Sequence, residues 1–128
     1  MTVFLTPVQV AVIHDLQSSQ PLRSVDALAG AVTRPQSAWA GTFLYPTRVA
    51  QSAVLLSSIC QAQAFLDGNK RTAWVACDVF LTLNGLRLID IPDDEIVTLM
   101  EDISRGILNT EAVATWMSKH TATADAQP

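Results

Sequence analysis

Thr6-Pro7, near the start of the chain, has the form of a helix N-cap followed by proline at the first helical position. Apolar residues then fall at Val8, Ala11, Val12 and Leu16, three and four apart, and predict a first helix. Ser24 starts a second, with Val25, Leu28 and Val32 at helical spacing. It ends before Arg34-Pro35, because a residue preceding proline is pushed out of the helical region. Residues 35–45 have no helical period and read as a long loop or short hairpin, a length that is often functional in a small domain. Pro46 opens a third helix through Val49, Ala53, Leu56 and Cys60, and residues 63–69 break the pattern. From 70 to 83 the chain is apolar nearly all the way round, which predicts a buried, central helix. Asn84-Gly85 supplies its stop. Residues 86–91 read as a brief extended piece. Pro92 begins a fifth helix carrying Ile96, Leu99, Met100, Ile103 and Ile107, and Thr110 caps a short sixth through Trp116. The expectation is an all-α fold, a compact bundle of about six helices around the fourth. Residues 1–118 form a single domain, and residues 119–128, small and polar, a flexible tail.

Composition narrows the function classes. At 128 residues there is room for one core and no second domain. Hydrophobic residues at 49% against 16% charged exclude a disordered chain. A net charge of −4 argues against a nucleic-acid or basic membrane-surface protein, although a local basic cluster can still hold phosphate. Cys60 and Cys77 lie in apolar helical stretches and read as buried free thiols of a reducing compartment. With only His14 and His120 there is little material for a histidine metal site. No signal-peptide pattern and no apolar run of membrane length is present, so the expected location is the cytoplasm.

The stretch from Gln63 to Trp74 carries the candidate chemistry. Asp67, Gly68 and Asn69 lead directly into the start of the fourth helix, where backbone N–H groups are unpaired and the helix dipole is positive. Gly68 permits a tight turn and close approach of a ligand. Lys70 and Arg71 add two cations, and together these groups suit phosphate. Asp67 is a hard oxygen donor of the kind that holds Mg²⁺ bridged to phosphates. The alternative is structural: Asp67 or Asn69 as a simple N-cap, and Lys70 and Arg71 as a solvated first turn. Cations at a helix start are locally unfavourable by about 0.3–1 kcal/mol each, and such a conflict marks a site. With one glycine and no preceding strand, the segment is not a P-loop.

The same segment closely resembles the signature of the Fic/Doc family, which runs His-x-Phe-x-Asp/Glu-Gly/Ala-Asn-Lys/Gly-Arg. Phe65, Asp67, Gly68, Asn69, Lys70 and Arg71 match it, and Thr72-Ala73 is typical of the Doc branch. Ile13-His14-Asp15, Thr33-Arg34-Pro35 and Leu83-Asn84-Gly85 extend a weaker likeness over most of the chain. The resemblance implies a toxin of a toxin–antitoxin pair, with ATP as substrate and Mg²⁺ as cofactor. It implies that Asp67 coordinates Mg²⁺, that Gly68 and Asn69 form an anion hole, that Lys70 sets the nucleotide's orientation, and that Arg71 stabilises transferring charge. Phe65 reads as a core anchor. Residues 39–45 correspond to the family's target-docking flap, with packing as the rival role for their aromatics.

Two departures shape the expected activity. Lys70 stands where adenylyl-transferring relatives carry glycine, and Trp74 where they carry a second arginine. The resemblance then implies that the γ-phosphate faces the target, a threonine of the elongation factor that delivers aminoacyl-tRNA. Gln63 stands where the family has its general-base histidine. An amide does not accept a proton at neutral pH, and loss of a general base costs about 10²–10⁴-fold in rate. The expectation is a chain that binds nucleotide and turns over poorly. His14 is disfavoured as a replacement base. Adenylyl transfer and a non-catalytic nucleotide- or antitoxin-binding module are the alternatives. A disordered antitoxin segment would need an apolar groove, and the first, second and fifth helices are the candidates.

Overall fold

In the computed structural model, which describes residues 1–124, helix starts follow side-chain chemistry. Helix α1 (Pro7–Gln17) opens with a capping box: the Thr6 side chain accepts from the Gln9 backbone N–H, and the Gln9 side chain accepts from that of Thr6. Ser24 caps α2 (Val25–Thr33), Thr47 caps α3 (Arg48–Ala62), and Asn109 caps α6 (Thr110–His120), each by accepting a backbone N–H. Thus Thr47 rather than Pro46 starts the third helix, and Asn109 rather than Thr110 caps the last. Helix α5 (Asp93–Ser104) has no side-chain cap but carries Asp93, Asp94 and Glu95 in its first turn, which complement the dipole. Helix α4 (Asn69–Leu83) has neither a side-chain cap nor an acidic first turn.

The centre of the bundle is α3, not α4. Ten successive residues of α3, Gln51 through Cys60, are buried, and α2, α4, α5 and α6 all pack on it. Small and polar residues on α3 hide this from a hydropathy pattern: Ala53, Ser52, Ser57 and Ser58 let neighbours approach closely. Gln51 donates through Nε2 to the Tyr45 carbonyl at 2.9 Å, and Ser52 Oγ to Val49 at 2.7 Å. Helix α4 instead exposes Lys70, Arg71, Asp78, Thr82 and Leu83.

Helices α3 and α4 run antiparallel. The Arg48 guanidinium at the start of α3 donates to the Asn84 carbonyl at the end of α4, at 2.9 Å. Between α2 and α3, a 3-10 turn (Arg34–Gln36) leads into a two-stranded hairpin, β1 (Ala38–Trp39) with β2 (Thr42–Phe43), turned at Ala40 and Gly41, both with positive φ. Strand β3 (Leu86–Leu88) pairs antiparallel with β4 (Thr121–Thr123). That pairing corrects the expected tail: α6 runs to His120, and the following three residues are held in a sheet. Residues 125–128 of the expected tail lie outside the described residues. No helix among the described residues is long and apolar enough to cross a membrane.

Helix α1 buries an unexpected face. Val10 and His14 are buried, while Val8, Val12 and Leu16 are 73%, 55% and 79% exposed. Four-residue spacing is right for both rows, so periodicity alone does not choose between them.

Candidate functional site at the start of helix α4

Helix α3 ends at Gln63, whose backbone is left-handed (φ 52°, ψ 41°). The chain then crosses to Gly68, also left-handed (φ 81°), and enters α4. Gly68 is required twice over. Its φ suits glycine, and a Cβ there would stand 3.3 Å from Ser18 Cβ and 3.6 Å from the His14 ring.

Neither Asp67 nor Asn69 is the N-cap; that position belongs to Gly68. Asn69 reaches back instead. Its Oδ1 accepts from the Phe65 N–H at 3.1 Å and its Nδ2 donates to the Phe65 carbonyl at 2.8 Å, closing the loop like a clasp. Phe65 is buried and stacks on His14, with ring centroids 3.7 Å apart and planes 5° from parallel. His14 Nε2 lies 2.9 Å from the Asp67 carbonyl. On the other side the loop is stitched to the α1–α2 link: Arg23 and Ser24 N–H groups donate to the Ala64 carbonyl, and Leu66 N–H to Pro21. The Arg23 guanidinium donates to the Gln63 carbonyl at 2.6 Å. For function, the sequence offers His14 only as a disfavoured replacement base and does not single out Arg23. Both partnerships span 40 residues or more, so no local pattern signals them.

All six site residues named from the sequence, Gln63, Asp67, Gly68, Asn69, Lys70 and Arg71, line one open cavity of about 380 Å³, with Leu66 and Ser104. Asp67 and Arg71 are exposed, and Arg71 makes one long bond, 3.4 Å, to the Gln17 carbonyl. Lys70 is ion-paired with Glu101 of α5, whose carboxyl is held below the usual carboxylate range by the Lys70 hydrogen bond and charge. Gln63 is exposed, and its side chain bonds to the protein: Nε2 donates to the Cys60 carbonyl at 3.1 Å, and Oε1 lies 3.5 Å from Asn69 Nδ2. Chemically, the cavity joins two cations, one carboxylate and the uncapped N–H groups of a helix, a set that binds an anion and tolerates a hard cation beside it. Among the described residues there is no group of three or more His, Cys, Asp or Glu placed to hold a metal. Asp67 by itself supplies one carboxylate, and a hard cation held there would need its other donors from a bound ligand or water.

The hairpin is not brought to this cavity. Phe43 packs against Phe4, and Phe4 against Phe80 near the far end of α4. The 15 residues of α3, about 22 Å of helix, separate it from the motif. Trp39, beside the turn, is 78% exposed, whereas Phe43 packs on Phe4.

Comparison with known proteins agrees with the geometry. Over 104 residues, 80% of each chain, the sequence is 35% identical to Toxin Doc of Mycolicibacterium smegmatis. Residues 4–81, which span α1 through most of α4 and the whole cavity loop, match the model of the Fic/DOC family, and the chain belongs to that family.

Proposed function

We propose that the protein is the toxin of a toxin–antitoxin pair, built to transfer the γ-phosphoryl group of ATP to a threonine hydroxyl of a translation elongation factor in the cytoplasm. The observation that carries this reading is the convergence of Asp67, Gly68, Asn69, Lys70 and Arg71 on one cavity at a helix start that nothing else caps. The backbone N–H groups and Asn69 clasp hold phosphate in place. Lys70 and Arg71 offset the charge that spreads over the phosphoryl oxygens. Asp67 would hold Mg²⁺, which supplies charge neutralisation on the phosphates. In the transfer, the threonine oxygen forms a bond to the γ-phosphorus, the bond to the β-bridging oxygen breaks, and ADP leaves. The hydroxyl proton passes to solvent or to a phosphoryl oxygen, because Gln63, at the position of the family histidine, does not accept it. Turnover by this chain is therefore low.

The partner reading has its own support. Val8, Val12 and Leu16 form an exposed apolar row on α1, beside a groove that α1 shares with Val79 and Leu83 of α4. A disordered antitoxin segment that folds on binding needs such a surface, and of the three helices considered α1 offers the longest exposed row.

One observation favours a second reading, a non-catalytic binding module. The Gln63 side chain is committed to Cys60 and directed toward Asn69, and so serves the loop rather than a substrate. The test compares this chain with Gln63→His, each given bacterial lysate, Mg²⁺ and ATP labelled at the α- or γ-phosphate. A protein band labelled only from γ, about 10²–10⁴-fold stronger with histidine, is expected. Label from α contradicts phosphoryl transfer and indicates adenylyl transfer. No label with either chain contradicts catalysis and leaves the binding module.

A further inference from the structure

The His14 ring is fully buried, and no step proposed above uses it. Its neighbours fix it behind the cavity loop. One face stacks on Phe65. The edge that carries Cδ2 and Nε2 abuts Gly68, where an added Cβ would stand 3.6 and 3.7 Å from those atoms. Asp15 Oδ1 lies 3.2 Å from Nδ1, and the Asp67 carbonyl oxygen 2.9 Å from Nε2. A carbonyl only accepts. Nε2 therefore carries a proton and donates it, in the neutral and the charged ring alike.

The Asp67 carbonyl belongs to the same peptide unit as the Gly68 N–H. That peptide is trans, so its C=O and N–H point in opposite directions. With the oxygen drawn back toward α1, the N–H is turned away from it. Among the described residues nothing accepts this N–H: α4 has no side-chain cap, and no backbone carbonyl bonds it. Gly68 also lines the motif cavity.

Glycine makes this arrangement easy to reverse. Gly68 sits at φ 81°, and glycine takes negative φ as readily. Half a turn of the 67–68 peptide would bring a carbonyl oxygen to the cavity and withdraw the donor. We infer that His14 is a positioning residue for the anion site: its Nε2–H holds the Asp67–Gly68 peptide so that the Gly68 N–H is aimed into the cavity. This rests on the phosphate-site reading above and adds what keeps one of its donors in place. A hydrogen bond on the carbonyl also polarises the peptide and strengthens the N–H at its other end. The buried ring thus acts on the anion without touching it. A histidine that only packs needs no donor at Nε2.

The dipeptide Asp-Gly occurs once in the chain, at 67–68. Aspartate labelled with ¹³C at the carbonyl and glycine labelled with ¹⁵N therefore isolate one NMR cross-peak, that of this peptide. In the unmodified chain, inorganic tripolyphosphate should move the Gly68 amide proton downfield, and ¹⁵N spectra of the His14 ring should show a proton on Nε2. His14→Phe keeps a ring on Phe65 and removes the donor. Its tripolyphosphate affinity should fall about tenfold or more, the contribution of one hydrogen bond to a charged group. His14→Gln returns a side-chain donor and should recover most of that affinity, whatever its unfolding midpoint. If the phenylalanine variant does not fold, the two measurements on the unmodified chain and the affinity of His14→Gln decide. A Gly68 proton that stays in place while those of Asn69 and Lys70 move, a ring protonated on Nδ1 alone, full affinity in His14→Phe, or a tenfold loss in His14→Gln each overturns the inference. If tripolyphosphate neither binds nor moves any α4 amide of the unmodified chain, the phosphate-site reading fails with it.

Discussion

The two ends of the α3–α4 pair are both fastened by an asparagine, and they differ in what the fastening leaves over. At the far end, Asn84 is 4% exposed and fully spent: Oδ1 accepts from the Val3 N–H at 2.7 Å, and Nδ2 donates to the Val3 and Phe80 carbonyls at 2.8 and 2.7 Å. Arg48 is spent there too, on the Asn84 and Met1 carbonyls. At the motif end Asn69 makes the same kind of clasp on Phe65, yet around it Asp67 and Arg71 point into open space and the α4 N–H groups have no side-chain cap. An enclosed polar network stabilises a fold. A network that holds charges at a cavity wall without consuming them prepares a binding site.

The sharpest way to break this comparison is to place at residue 63 the base that the proposed function calls for. Gln63→His should raise phosphoryl transfer by about 10²–10⁴-fold while the loop keeps its shape, because the Asn69 clasp, the His14 contact and the Arg23 bond to the Gln63 carbonyl do not depend on the residue 63 side chain. An unchanged rate in the labelling assay would mean that the motif end is a holding site only.

Removing each clasp in turn separates stability from binding. Asn84→Ala leaves the backbone groups of a buried network unpaired and should cost about 2–4 kcal/mol in denaturant unfolding, with tripolyphosphate affinity unchanged. Asn69→Ala should cost a similar amount and also weaken tripolyphosphate binding, since the loop it closes carries the cavity. Equal binding by both variants would erase the distinction between the ends.

The smallest effect concerns the buried thiols. Burial pushes Cys60 up to about 11, with Lys70 pulling slightly the other way, and Cys77 up to about 12, from an ordinary 9.0. A group that holds its proton more tightly when folded leaves stability intact below its unfolded pKa and removes it above. Stability should thus be flat up to about pH 9 and decline as the pH rises toward 11–12. Both thiols should be inert to a thiol-specific reagent at pH 8 until the chain is unfolded. Rapid native reaction of Cys60, the thiol nearer Lys70, would show that the motif end opens locally.

How much of this was legible depends on whether the signal was contiguous. The site residues lie within nine positions and can be read directly; so can the helix starts at Thr6 and Ser24. The buried face of α1 could not be read, because Val8, Val12 and Leu16 make a better apolar row than Val10 and His14, and only the place of Phe65 and Asp67 decides between them. The central helix was misplaced for a related reason. Serines and alanines mark close packing as faithfully as leucines do, but a hydropathy pattern counts only the latter. The flap-like hairpin was found where expected in the chain but not beside the motif, since sequence position does not say which end of an antiparallel pair a loop joins.

The central claim is the proposed anion site at the start of α4, where Lys70 is paired with Glu101 but the Arg71 charge is not taken up by any ion pair among the described residues. The most direct measurement is the affinity of Arg71→Ala for tripolyphosphate, taken together with its unfolding midpoint. Arg71 is exposed and makes a single 3.4 Å bond to the protein, so its loss should leave the midpoint nearly unchanged and weaken binding about tenfold or more. A variant that binds as tightly as the unmodified chain would contradict the account.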